Sequence, residues 1–144
     1  MAKIQIAEEA TDKLVAAYEK LIPQLSQSSR PPTKQDLERM IDSDTTTVLI
    51  ATNKDDQIVG TMTLVLFRIP TGLRAWIEDV IVDSESQGKG IGKKLNQKAL
   101  TIAEKAGAKT VELTSRPSRE AANRLYQNLG FEKRETNIYR FTFD

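Results

Sequence analysis

Residues 74–95 read RAWIEDVIVDSESQGKGIGKKL. The first part, 74–82, carries the β-branched and aromatic residues of a strand. From Gly92 to Ala106 the apolar residues Leu95, Ala99, Ile102 and Ala103 recur at helical spacing, and Gly107 is the expected stop. Between strand and helix lies Q-G-K-G-I-G, residues 87–92. Glycines at such a junction let backbone N–H groups approach an anion at the positive end of the helix. A plain turn needs one or two glycines; three alternating ones beside Lys89, Lys93 and Lys94 point to phosphate.

Working outward, residues 3–7 read as a strand, and Leu14, Ala17, Tyr18, Leu21 and Leu25 make a helical stripe. Thr33 followed by Asp36 marks the start of a second, short helix after Pro31 and Pro32. Residues 46–52 and 57–69 form a hairpin around a turn at 53–56, and Pro70, Thr71 and Gly72 turn the chain into the strand at 74–82. Beyond Gly107 come a strand at 109–115 and a helix after Pro117 and Ser118, with Ala121, Ala122, Leu125, Tyr126 and Leu129 on one face. Gly130 and Phe131 end that helix, and a strand pair at 131–135 and 137–143 is expected to close the chain. The order βααβββαβαββ has no repeat and no linker. It describes an α/β fold: a single domain over residues 1–144, with one mixed sheet and helices on both faces. The helix between the fourth and fifth strands implies a parallel, right-handed crossover.

The composition excludes several chemistries. Of 144 residues 39% are apolar, as in a globular domain, and 21 Lys and Arg against 20 Asp and Glu give a net charge of +1. No nucleic-acid or membrane-surface partner is indicated. With no Cys and no His there is no thiol nucleophile, no imidazole base, no Ser-His-Asp triad and no His- or Cys-bound metal, so no metal is expected. An acid or base must come from carboxylates, Tyr, Lys or water. Glu8 and Glu9 fall where a signal peptide needs an apolar run, and a cytoplasmic protein is expected.

Two further features bear on chemistry. Glu78 and Asp79 interrupt an apolar strand, and strand alternation sends their side chains to opposite faces. Burying an unpaired carboxylate is costly, so at least one faces water, a cation or a reacting group; otherwise both sit at an exposed strand end, paired with Arg or Lys. Tyr126 lies on the apolar stripe of its helix, either as plain core or with its ring packed and its hydroxyl in a cleft.

Known phosphate loops discriminate further. The Walker pattern fails because position 93 is Lys. A dinucleotide fingerprint finds Gly88, Gly90 and, about 20 residues on, Glu112, but Lys93 stands where its third glycine belongs and only one βαβ unit is present, which disfavours a nicotinamide-dependent reductase. Gln87, Gly88, Gly90 and Gly92 match the Gln/Arg-Gly-x-Gly-x-Gly/Ala loop of the GNAT superfamily of N-acetyltransferases, which this chain resembles from its first helix to its last strand. The segment NRLYQNLGF, residues 123–131, is similar to that family's penultimate helix and exit strand.

The resemblance implies acetyl-coenzyme A as acyl donor. Gln87, Gly88, Lys89, Gly90, Ile91, Gly92 and Lys93 would hold its pyrophosphate, and the backbone of Val80, Ile81 and Val82 would pair with its pantetheine arm. It implies that Tyr126 is a general acid, that Asn123 contacts coenzyme A, and that the strand of Glu78 faces the acetyl group. The Glu78-Asp79 pair is similar to that of glucosamine-6-phosphate N-acetyltransferases. The expected reaction is direct transfer of acetyl to a primary amine, on a small molecule rather than a protein. Glu78 serves as base, Asp79 as alternative base or ammonium ligand, and an N–H near Val80 as oxyanion donor. A homodimer is expected from the alternating Ile138, Tyr139, Phe141 and Phe143 in a terminal strand whose edge needs covering. The competing expectation is a non-catalytic acyl-coenzyme A binding or sensing module, which keeps the glycine loop and dispenses with acid and base.

Overall fold

In chain order the elements are β1 (Lys3–Ile6), α1 (Asp12–Leu25), α2 (Lys34–Asp42), β2 (Thr46–Thr52), β3 (Ile58–Ile69), β4 (Gly72–Val82), a 3-10 turn at Ser84–Ser86, α3 (Ile91–Ala106), β5 (Val111–Glu112) and α4 (Glu120–Asn128). The computed structural model describes residues 2–144. They fall into two units, one ending at Leu113 and the other spanning Thr114–Asp144.

Local chemistry accounts for the starts of α1 and α2. Thr11 caps α1 by accepting from the Leu14 N–H at 3.1 Å. Thr33 and Asp36 form the expected capping box of α2: the Asp36 N–H donates to Thr33 Oγ1 at 3.1 Å, and the Thr33 N–H donates to Asp36 Oδ2 at 3.0 Å.

The sheet order is β1-β2-β3-β4-β5. The first four strands are antiparallel to their neighbours, and β5 lies parallel to β4. Alternation along β2 splits the core in two. Val48 and Ile50 join Leu14, Tyr18, Leu21 and Ile22 of α1, Leu37 of α2 and Ile81 of β4 on one face. Leu49 and Ala51 point the other way, as do Met62 and Leu64 of β3, toward the buried stripe of α3 formed by Ile91, Leu95, Ala99 and Ala103. The expected mixed sheet with helices on both faces is present.

Gly60 sets how closely α3 approaches. A Cβ there would lie 3.1 Å from Ile91 Cγ2 and 3.3 Å from the Ile81 carbonyl oxygen, so the absent side chain lets the first residue of α3 rest on the sheet.

Two expectations change. The strand expected at 109–115 pairs with β4 only as Ala75↔Val111 and Trp76↔Glu112. The ladder stops short of a bulge further along β4, and a bulge bends and twists the strand that carries it. The strands expected at 131–135 and 137–143 do not form, so the closing ββ of the expected order is absent among the described residues. The unit Thr114–Asp144 contains one helix and no strand against which they could form a ladder. Ile138, Tyr139, Phe141 and Phe143 stand 65–89% exposed, and Phe141 and Phe143 make an edge-on ring contact at 5.2 Å.

Within this second unit α4 ends as expected at Gly130, whose φ of 101° suits a residue without a side chain. The chain then folds back, with the Phe131 N–H donating to the Tyr126 carbonyl at 3.0 Å. The Phe131 ring meets the Tyr126 ring edge-on at 5.8 Å.

Candidate active site

β4 is built unevenly. Thr63 pairs with Glu78 and Thr61 with Ile81, so Asp79 and Val80 stand together against Met62 alone. Asp79 takes a left-handed φ of 49°, a conformation that aspartate tolerates better than most residues. The bulge suspends the strict alternation expected of Glu78 and Asp79: Glu78 and Ile81, three residues apart, both lie opposite threonines on the α1 face. Both carboxylates are exposed.

The two edges of β4 differ as well. One is paired with β3 along most of its length, as far as Gly60↔Val82. On the other, β5 reaches only Trp76, so among the described residues of this unit no strand pairs with residues 77–82 on that side. Apart from the Val82 carbonyl, which accepts from Gln87 Nε2, backbone groups on the Val80–Val82 stretch are thus available to an extended ligand.

The strand leads through the 3-10 turn into an exposed loop, Gln87 to Gly90. Gly88 and Gly90 have φ of 80° and 78°, and a Cβ at either would meet nothing within 4 Å. Glycine is therefore required by conformation, not by crowding. Gly90 precedes α3, whose first N–H groups have no side-chain cap, which is the arrangement that receives an anion. Gly92 lies in the first turn of α3, outside the left-handed region.

The side chains divide by role. Gln87 Nε2 donates back to the Val82 carbonyl at 3.3 Å and closes the loop. The Ile91 side chain is buried against the Gly60 position, so only its backbone faces the loop mouth. Lys89 and Lys93 are exposed. Lys94 is directed elsewhere, its Nζ donating to the Ala2 carbonyl at 3.3 Å.

Tyr126 and Asn123 belong to the second unit. Burial raises the Tyr126 phenol above its ordinary value, with Arg119 opposing in part, so the hydroxyl keeps its proton at neutral pH. Asn123 Nδ2 donates to the Arg116 and Arg119 carbonyls, each at 2.9 Å. Both amide protons are occupied by the turn that opens α4, which leaves Oδ1 as the group free to face a ligand. Among the described residues no group of three or more Asp, Glu, His or Cys could hold a metal ion.

Comparison with known proteins adds the decisive observation, since the acetyltransferase (GNAT) family model matches residues 11–131. The chain belongs to that family. An uncharacterised N-acetyltransferase of Methanocaldococcus jannaschii is 39% identical over 61 residues, covering 42% of this chain and 27% of the relative. The chain spans between 26% and 47% of the length of the curated relatives it matches. An aminoglycoside acetyltransferase from an uncultured soil metagenomic sample, solved in complex with sisomicin, superposes with a TM-score of 0.85 at 19% identity over 99% of this chain and 97% of that one. Glucosamine-6-phosphate N-acetyltransferase from Arabidopsis thaliana gives a TM-score of 0.82 at 22% identity, covering 100% of this chain and 99% of the other. These two share the GNAT fold with it.

A further side chain belongs to the candidate site of this GNAT chain. Trp76 Nε1–H donates to Glu78 Oε2 at 2.9 Å. The signal was present in the spacing, because residues two apart on a strand project from the same face.

Proposed function

We propose that the chain is an acetyl-coenzyme A-dependent N-acetyltransferase acting on a primary amine, with residues 1–144 working as one catalytic domain. One observation carries this: the unpaired edge of β4 at 77–82 runs into two left-handed glycines and an uncapped helix start. An extended arm ending in a pyrophosphate matches that sequence of backbone groups. The open space beside Gly88 and Gly90 leaves room for a phosphate.

The residues then act as follows. Backbone groups of Val80, Ile81 and Val82 pair with the pantetheine arm. The N–H groups around Gly88, Gly90, Ile91 and Gly92, with the charges of Lys89 and Lys93, hold the pyrophosphate. Gln87 keeps the loop closed, and Asn123 Oδ1 offers an acceptor to the donor molecule. Glu78 takes the proton from the acceptor amine, whose nitrogen attacks the thioester carbonyl. The Val80 N–H stabilises the oxyanion. The carbon–sulfur bond breaks, and the Tyr126 hydroxyl protonates the departing thiolate. Asp79 binds the acceptor ammonium, or replaces Glu78 as base.

The acceptor we favour is a small amine rather than a protein, and the compartment the cytoplasm. We also place a homodimer contact at Ile138, Tyr139, Phe141 and Phe143, because four large side chains so exposed need a cover. A monomeric mass at tens of micromolar in light scattering overturns that contact.

Thiol release from acetyl-coenzyme A, measured over amino sugars, polyamines, amino acids and peptides, tests the activity. Turnover with at least one amine is expected. Tight coenzyme A binding without thiol release for any amine would leave a sensing module, and no binding would remove the donor as well.

A further inference from the structure

Asp83, the residue after β4, is 5% exposed. A carboxylate so placed is costly unless it is paired and hydrogen-bonded, and here α1 supplies the partners. Lys20 Nζ lies 2.9 Å from Asp83 Oδ2, and Gln24 Nε2 donates to Asp83 Oδ1 at 3.3 Å. The same Gln24 accepts the Ser84 N–H through Oε1 at 2.9 Å. Within the turn, the Glu85 N–H donates to Asp83 Oδ1 at 3.4 Å, and the Ser86 N–H donates to the Asp83 carbonyl at 2.8 Å. The Asp83 N–H is held by the Val59 carbonyl at 2.8 Å.

Residues 83–86 are thus fastened to a helix some 60 positions earlier in the chain, immediately before the loop of Gln87 to Gly90. That loop is tied to the strand by one long side-chain hydrogen bond, from Gln87 Nε2 to the Val82 carbonyl at 3.3 Å. It is exposed throughout, and its two left-handed glycines have open space where a side chain would be. A free loop loses conformational entropy when it closes on a ligand. A loop ordered beforehand avoids much of that loss.

We infer that Lys20, Gln24 and Asp83 are positioning residues that order the 84–90 segment before the pyrophosphate of the acyl donor arrives. This rests on the donor assignment made above. The three side chains touch the loop's root, not the ligand, so their effect belongs to donor affinity and not to the chemical step. Asp83 remains ionised at neutral pH because the Lys20 ammonium holds its carboxyl below the usual range, which keeps the clasp closed there.

The experiment uses the whole chain and coenzyme A itself as the probe. Calorimetric titration of the parent, Lys20→Met, Gln24→Ala and Asp83→Asn is accompanied by acetyl-coenzyme A kinetics and by backbone amide exchange at 84–90 without ligand. Each variant is expected to bind coenzyme A about tenfold more weakly. The change should appear in the KM for acetyl-coenzyme A, with kcat within about a factor of two, and exchange at Ser84 to Ser86 should quicken. Lys20→Arg keeps the cation and is expected to restore parental affinity. If Asp83→Asn does not fold, the two α1 variants carry the test, since Lys20 is largely exposed. A parent that binds coenzyme A while Lys20→Met and Gln24→Ala bind within twofold of it overturns the positioning role alone. A parent that does not bind coenzyme A overturns the donor assignment, and the positioning role falls with it.

Discussion

The indole N–H of Trp76 holds the carboxylate of Glu78 at 2.9 Å, across the two-residue repeat of one strand. An exposed glutamate otherwise samples several rotamers, and one fixed by a neighbour meets its substrate in fewer orientations. Trp76→Phe keeps most of the packing and removes the donor. A net hydrogen bond of about 0.5–1.5 kcal/mol corresponds to a fall in turnover of about 2- to 10-fold. Glu78→Gln is expected to cost about 10²-fold or more, the usual scale for losing a general base, with coenzyme A affinity unchanged. Parental turnover in Glu78→Gln would remove the base assignment.

Tyr126→Phe separates core from catalysis. The ring contact with Phe131 survives the substitution, so a packing role leaves turnover near the parental value. As general acid, Tyr126 is expected to contribute about 10²-fold, with the melting temperature of Tyr126→Phe within a few degrees of the parent. Steady-state kinetics and a thermal melt on one preparation decide between the two.

Gly90 tests the anion cradle without a steric complication. Because a Cβ there meets nothing within 4 Å, Gly90→Ala is expected to lose about 1–2 kcal/mol of stability from the left-handed backbone alone. Gly90→Asp is expected to fold comparably, since aspartate enters that region more readily. It also places a carboxylate where phosphate belongs, so acetyl-coenzyme A should no longer raise its melting temperature. An equal rise in Gly90→Asp and parent would put the donor elsewhere.

Tyr18 predicts an alkaline limb. Its phenol is pushed up to about 12, chiefly by burial, with the nearby Thr61 hydroxyl opposing and the charge of Asp79 adding. Neither the Tyr18 nor the Thr61 hydroxyl makes a hydrogen bond of ordinary geometry. The folded state therefore favours the protonated phenol, a contribution intact below pH about 10 and lost as pH rises through about 12. Tyr18→Phe is expected to flatten that limb in denaturation curves taken from pH 9 to 12. At pH 7 its stability should lie within about 1 kcal/mol of the parent, because little hydrogen bonding is lost. Parallel alkaline limbs would contradict it.

What the sequence disclosed, and what it withheld, follows from the range of the forces involved. The Thr33 and Asp36 capping box, the stripe of Leu14, Tyr18 and Leu21, and the Gly107 stop are local signals, and each element stands where they put it. The glycine loop was legible for the same reason. The bulge was not, because Glu78 and Asp79 mark an interruption of the strand without saying which form it takes; the extra residue is fixed by the register with β3 across the ladder. Helical phase would have shown that Lys94, beside buried Leu95 and three residues beyond buried Ile91, leans toward the sheet and away from the loop. The aromatic alternation at 138–143 reads as a strand, but a strand exists only with a neighbour to pair with. The contacts of Lys20 and Gln24 with Asp83 join residues about 60 apart, a distance over which pattern carries no information.

The extra residue in β4 changes the parity of the strand. Before Asp79 the even-numbered side chains, Trp76 and Glu78, share a face with α1, whereas after it the odd-numbered Ile81 does. Position 79 is therefore the joint between two half-strands whose numbering is out of step by one. Deleting it would close the bulge: Val80 alone would stand opposite Met62, Glu78 and Ile81 would be two residues apart in regular alternation, and Ile81 would keep its place opposite Thr61 while the left-handed kink is lost. An insertion or deletion earlier in the strand would instead rotate Trp76 and Glu78 and leave the stretch leading to the loop in place. The reacting half and the donor-facing half of β4 thus hold their registers with β3 on either side of one joint, which could be removed without inverting either.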